Sequence, residues 1–129
     1  MNLMFLVVGI TGFVAGANMR VLDPLLPVIG LDFGVEATVA AVVVTSFSLA
    51  YGLFQLIYGP LSEKYGKVEV MFWASMLAAL MSLISSQVST LSEFTIIRFL
   101  TGAGVVGLIP LALAWVADAS TYRNRQKAL

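Results

Sequence analysis

Cysteine and histidine are both absent from this sequence of 129 residues. Without thiols there are no disulfides and no thiolate chemistry, and the redox compartment is left open. Without thiols and imidazoles the usual zinc sites are excluded. Charge is scarce too: 11% of the residues are charged, against about 25% in an ordinary soluble domain. No basic patch with interleaved aromatics exists, so nucleic-acid binding has no support, and no cofactor is implied. The seven basic and seven acidic residues cancel, and their placement says more than their sum. None lies between Ala37 and Leu61, and none between Val70 and Ser92. Such runs exceed the ~20 apolar residues that cross a bilayer core as helix. With 60% hydrophobic residues and a mean hydropathy of +0.98, the chain is expected to be an all-α membrane protein.

Four spans are expected, at about 2–19, 37–58, 70–88 and 94–117. The first, which continues bent to Ile29 if the prolines permit, carries Gly12 and Gly16 as a small-xxx-small pair suited to close helix approach. The stretch Arg20–Glu36 holds Arg20, Asp23, Asp32, Glu36 and prolines 24 and 27. Proline removes a backbone donor and disfavours helix just before it, which predicts a helix end followed by a polar loop. The second span is expected to end at Gly59-Pro60, with a polar link Ser62–Glu69 behind it. A short turn, Ser89–Glu93, leads to the fourth span, which contains one charge, Arg98, and a proline, Pro110, expected to bend it. Ala103, Gly107 and Gly102 argue for tight packing of that span.

Lys and Arg near the span ends set orientation. Lys64 and Lys67 follow span two, and Arg123, Arg125 and Lys127 follow span four. The opposite side has Arg20, with Arg98 a few residues inside the membrane. The expectation is a multi-pass protein of the cell membrane with both termini cytoplasmic. Ala15-Gly16-Ala17 resembles a signal-peptidase site, and cleavage would leave the loop orientation unchanged; the lack of Lys or Arg before the apolar core argues that Met1–Ala17 is retained.

Gly59-Pro-Leu61-Ser-Glu63-Lys64-Tyr-Gly66-Lys67 resembles the loop motif between the second and third helices of the major facilitator superfamily. Physically, Gly59 would let backbones approach, Glu63 would compensate a neighbouring helix end, and Gly66 would permit the turn. An ordinary basic loop explains the lysines but not the glycines, the leucine and the acid–base order. The chain departs from the family pattern in carrying Glu63 for Asp, and lysines where arginines are frequent. Arg98-Phe-Leu-Thr101-Gly102-Ala-Gly104 is similar to the fourth-helix motif of proton-coupled members, with Thr101 in place of Gln. An Arg in a span costs at least ~2.5 kcal/mol and normally faces protein or water. Residue type alone argues that Arg98 snorkels to the interface; its spacing from Gly102 and Gly104 argues equally for an inward role. The guanidinium stays charged, so it would tune a carboxyl or hold an anion rather than carry a proton.

Asn18, Arg20 and Asp23, followed by Pro24 and Pro27, look like the outer end of the first helix in drug–proton antiporters of this superfamily. They would line a cavity there, although Arg20 and Asp23, three apart, are read first as a surface pair. Asp118, Arg123, Arg125 and Ala128 resemble the cytoplasmic link from the fourth to the fifth helix. Tyr51, Phe54 and Tyr58 form one stripe, read first as packing or interface belt and second as a drug-binding wall.

The resemblance covers nearly the whole chain and implies helices one to four of the superfamily's N-terminal bundle. It implies proton-coupled efflux of small organic or drug-like molecules and no enzyme activity. Alternating access needs two bundles, so the chain is expected to be a truncated portion, inactive alone, that needs the remaining transporter helices or self-association within the lipid bilayer. The alternatives are a small oligomeric four-span multidrug exporter and a non-transporting membrane partner subunit.

Overall fold

The computed structural model describes residues 2–120, and among these every regular element is helical. Four stretches are long and apolar enough to cross a membrane: Leu3–Phe33, Ala37–Tyr65, Lys67–Gln87 and Leu91–Ala119.

Span one is α1 (Asn2–Arg20), a 3-10 turn (Asp23–Leu25) and α2 (Leu26–Phe33). The polar loop expected from Arg20 to Glu36 is therefore mostly helix. Pro24 and Pro27 each stand in the first turn of a new helical segment, where the missing N–H has no intrahelical partner to lose. The chain turns only at Gly34, left-handed at φ 67°. A short helix, α3 (Ala37–Ala40), leads into α4 (Val42–Tyr65).

The second span does not end at Gly59-Pro60. α4 carries Pro60 in its interior and continues to Tyr65. Pro60 can withhold a donor only from the Leu56 carbonyl one turn back, on an outward face where the Leu56 side chain is 79% exposed. The expected link Ser62–Glu69 shrinks to Gly66, at φ 92° and ψ 146°. Only glycine adopts that conformation readily, and α5 (Lys67–Ile84) starts at the next residue.

After a 3-10 turn (Ser85–Gln87), α6 (Leu91–Val105) begins three residues earlier than the sequence suggests. Thr90 caps it: the Glu93 N–H donates to Thr90 Oγ1 at 3.2 Å, while the Ser89 N–H donates to the Glu93 carboxylate at 3.0 Å. This reciprocal arrangement is a variant of the capping box. Span four then breaks at Val106–Gly107 and resumes as α7 (Leu108–Ala119). Pro110, in the first turn of α7, has no N–H to return to Val106, and the helix is interrupted at that level, where the bend was expected.

Span four is the inner helix. Of its most apolar stretch 61% is buried, against 6–22% for the other three. α6 lies between α4 and α5, and α7 between α1 and α5. Lipid tails are as apolar as leucine, so close backbone approach rather than hydrophobicity holds such helices together. The buried residues reflect that: Ala15, Ala40, Ala50, Ala74, Ala103 and Ala112 are 0–2% exposed. Gly12 and Gly16 do not contribute, because a Cβ on either would meet nothing within 4 Å.

Candidate functional site

Arg98 is the one charged residue buried among the described residues, at 6% exposure. Seven residues into α6, its side chain turns inward; it does not snorkel. Nη2 donates to the backbone carbonyl of Asn18 at 2.7 Å. The guanidinium carbon lies 4.4 Å from the centre of the Phe47 ring. One side chain thus joins span four to spans one and two.

The local chain explains the first contact. α1 gives way to a turn just before Pro24, so its last carbonyls lose their i+4 donors. A cation at that end also meets the negative pole of the helix. The energies are comparable. Placing an arginine inside a span costs about 2.5–3.5 kcal/mol on insertion scales. A hydrogen bond to a charged group returns about 1.5–3 kcal/mol, and a desolvated cation–π contact about 2 kcal/mol. Nε has no hydrogen-bond partner among the described residues, so the guanidinium retains donor capacity.

Gly102, one turn beyond Arg98, meets the same residue of α4. A Cβ there would stand 2.5 Å from the Phe47 carbonyl oxygen. Gly104 faces the other neighbour, where a Cβ would lie 2.8 Å from the Ala74 carbonyl of α5. The glycines of the fourth-helix motif therefore serve two interfaces. Thr101 is buried and donates back to the Ile97 carbonyl at 2.8 Å, within its own helix.

Two clefts lie beside the partners of Arg98, one lined by Asn18 and the other by Phe47, and Arg98 itself lines neither. One, of about 420 Å³, runs between spans one, three and four and is lined by Thr11, Asn18, Ser75, Ser82 and apolar neighbours. The other, of about 190 Å³, lies between spans one and two and is lined by Arg20, Asp23, Phe47, Ser48 and Tyr51. The expected trio is thus divided, with Asn18 in one cleft and Arg20 and Asp23 in the other. Arg20 and Asp23 form the expected surface pair at 3.2 Å. The aromatic stripe on α4 packs: Phe54 meets Phe99 edge-on at 6.1 Å, and the Tyr58 hydroxyl donates to the Ala103 carbonyl at 2.6 Å.

The loop-motif residues lie along the last turns of α4, the Gly66 turn and the start of α5. Gly59 and Glu63 are exposed. A Cβ on Gly59 would meet nothing within 4 Å, so no backbone among the described residues approaches it. Glu63 has no hydrogen bond or ion pair among the described residues. Leu61 is half-buried, and Lys64 lies over the Tyr65 ring at 5.2 Å. Lys67 pairs with Asp118 at the end of α7, which brings the start of span three and the end of span four to the same side. Arg123 and Arg125 lie outside the described residues. Gly107, singled out with Ala103 and Gly102 for tight packing, meets Tyr58: a Cβ there would lie 2.6 Å from its ring. Ala103, four residues earlier, receives the hydroxyl of the same tyrosine.

The sequence profile of the Major Facilitator Superfamily matches residues 8–129. The chain is 30% identical over 97 residues to the efflux pump FUB11 of Gibberella fujikuroi, covering 75% of this chain and 17% of that one. It is 26% identical over 98 residues to the uncharacterized MFS-type transporter YceJ of Bacillus subtilis, covering 76% of this chain and 25% of the relative. The chain spans about a fifth of the length of the curated relatives it matches. No solved structure matches it significantly.

Proposed function

Because this chain belongs to the major facilitator superfamily, and is thus a multi-pass membrane protein rather than an enzyme, we propose that it forms the first four helices of a proton-coupled exporter of small organic molecules. The observation that carries this reading is the buried Arg98 joint, whose partners line two clefts. Membrane-embedded charge is expensive and marks substrate or ion pathways. With Nη2 on the Asn18 carbonyl and Nε unpartnered among the described residues, a carboxyl or anionic group brought by another helix would find donor capacity on this guanidinium. Arg98 would thereby set the protonation of a carboxyl supplied by another helix without itself titrating.

Alternating access needs two bundles rocking about a central site. Four helices supply one wall of such a site, and transport requires further helices, whichever chain carries them. Two features argue against a small oligomeric exporter. Asp23 is exposed and paired with Arg20, and no acid is buried among the described residues. The basic residues at the Gly66 turn, on the side shared with Asp118, support a cytoplasmic position for that side and for both termini in the cell membrane.

Expression in an efflux-deficient bacterial host tests the reading. These four helices alone should confer no proton-dependent drug resistance, and co-expression with the remaining helices of a superfamily exporter should restore it. Resistance from this chain by itself would overturn the proposal in favour of self-assembly.

A further inference from the structure

A third cleft lies away from Arg98, between the last turns of α4 and the first turns of α5. Its volume is about 380 Å³, and it is lined by Tyr58, Leu61, Tyr65, Glu69, Trp73 and Leu77 with smaller residues at its base. Tyr58 is held in place by its hydroxyl on the Ala103 carbonyl. Trp73 is oriented by its indole N–H, which donates to the Glu69 carboxylate at 3.1 Å. Glu69 forms no ion pair among the described residues, whereas the nearby Lys67 is taken by Asp118. Lys64, the remaining cation of this turn, lies over the Tyr65 ring at 5.2 Å and is not among the residues that line the cleft.

Three aromatic rings and one carboxylate around an apolar floor are the chemistry of ammonium recognition. The site sits where the spans end, at the level of a membrane headgroup. A plain interfacial aromatic belt would need the rings, but not a carboxylate bonded to the tryptophan and free of cationic partners.

We propose that this cleft binds the ammonium head of an amphiphile between Glu69, Tyr65 and Trp73, with its apolar tail along Leu61 and Leu77. A membrane lipid and a free cationic amphiphile present the same ammonium group to the same residues. The proposal is independent of transport through the Arg98 clefts.

The chain has two tryptophans, so Trp115→Phe leaves Trp73 as the only reporter. In maltoside micelles, dodecyltrimethylammonium should shift Trp73 emission saturably, and dodecyl sulfate should not. Glu69→Gln should weaken the interaction by up to about 5-fold, the upper worth of one exposed charge pair. Tyr65→Leu should weaken it about 3-fold through the lost cation–π contact. Both variants are expected to keep the wild-type helical signal, and Glu69→Asp should recover part of the affinity. Nanodiscs distinguish the sources. An emission difference between phosphatidylcholine and phosphatidylglycerol discs that disappears in Glu69→Gln assigns the lipid headgroup. A positive micelle titration without that difference assigns the free amphiphile. Equal shifts with cationic and anionic detergent, or unchanged affinity in both Glu69→Gln and Tyr65→Leu, would overturn the site.

Discussion

Replacing Gly102 with alanine should loosen the bundle at the crossing of α4 and α6. The added methyl would stand 2.5 Å from the Phe47 carbonyl oxygen and 3.2 Å from the Phe47 carbonyl carbon and Cα. Those atoms are backbone, so no side chain can swing aside. An ordinary carbon–oxygen contact needs about 3.3 Å, and the two helices must part by about 0.8 Å to reach it. A gap of that size forfeits about a quarter to a half of the dispersion energy of the atoms that face across it. Overpacking of this kind costs about 1–3 kcal/mol, or a factor of about 5 to 150 in the unfolding equilibrium. The same movement draws the Phe47 ring away from Arg98. Equilibrium unfolding in mixed micelles, followed by helical circular dichroism, measures the loss. Gly59→Ala is the control, since its methyl meets nothing within 4 Å and removing a glycine from a helix interior gains up to about 1 kcal/mol. If Gly102→Ala unfolds at the wild-type midpoint, the close approach assigned to this crossing is wrong.

Other substitutions probe separate joints. Tyr58→Phe removes the hydroxyl from the Ala103 carbonyl and should cost about 0.6 kcal/mol, the typical worth of an interhelical hydrogen bond in a membrane, measured in the same unfolding assay. Gly66→Ala forces a side chain into φ 92° and should cost about 1–3 kcal/mol; a neutral result would mean that the turn relaxes. A double-mutant cycle on Lys67 and Asp118 should give a coupling of no more than about 1 kcal/mol, because both partners are partly exposed, and the coupling should shrink in high salt.

The number, order and helical nature of the spans were legible because uncharged runs of bilayer length have few other uses. Their ends were less so. Prolines 24, 27 and 60 all suggest interruption, yet two of them start helical segments and the third lies inside α4 on an outward face. Proline marks a missing donor, and whether that matters depends on which carbonyl it would have served. The inward direction of Arg98 was half-legible from its four-residue spacing to Gly102. Its partners were not, because the Asn18 carbonyl is offered only by the geometry of a helix breaking 80 residues away in the chain. The Gly12/Gly16 pair shows the converse: a small-xxx-small pattern permits close approach without naming a neighbour, and none of the described residues packs there.

The most direct test of the central claim is proton-driven transport of a cationic dye in proteoliposomes. These four helices would be reconstituted with the remaining helices of a superfamily exporter, as wild type and as Arg98→Ala. The account predicts transport by the wild-type assembly, and a loss of at least about 10-fold in the variant, the effect of about 1.4 kcal/mol, with helical content unchanged. Undiminished transport by Arg98→Ala would contradict it, because the buried guanidinium would then be a structural joint with no part in the pathway.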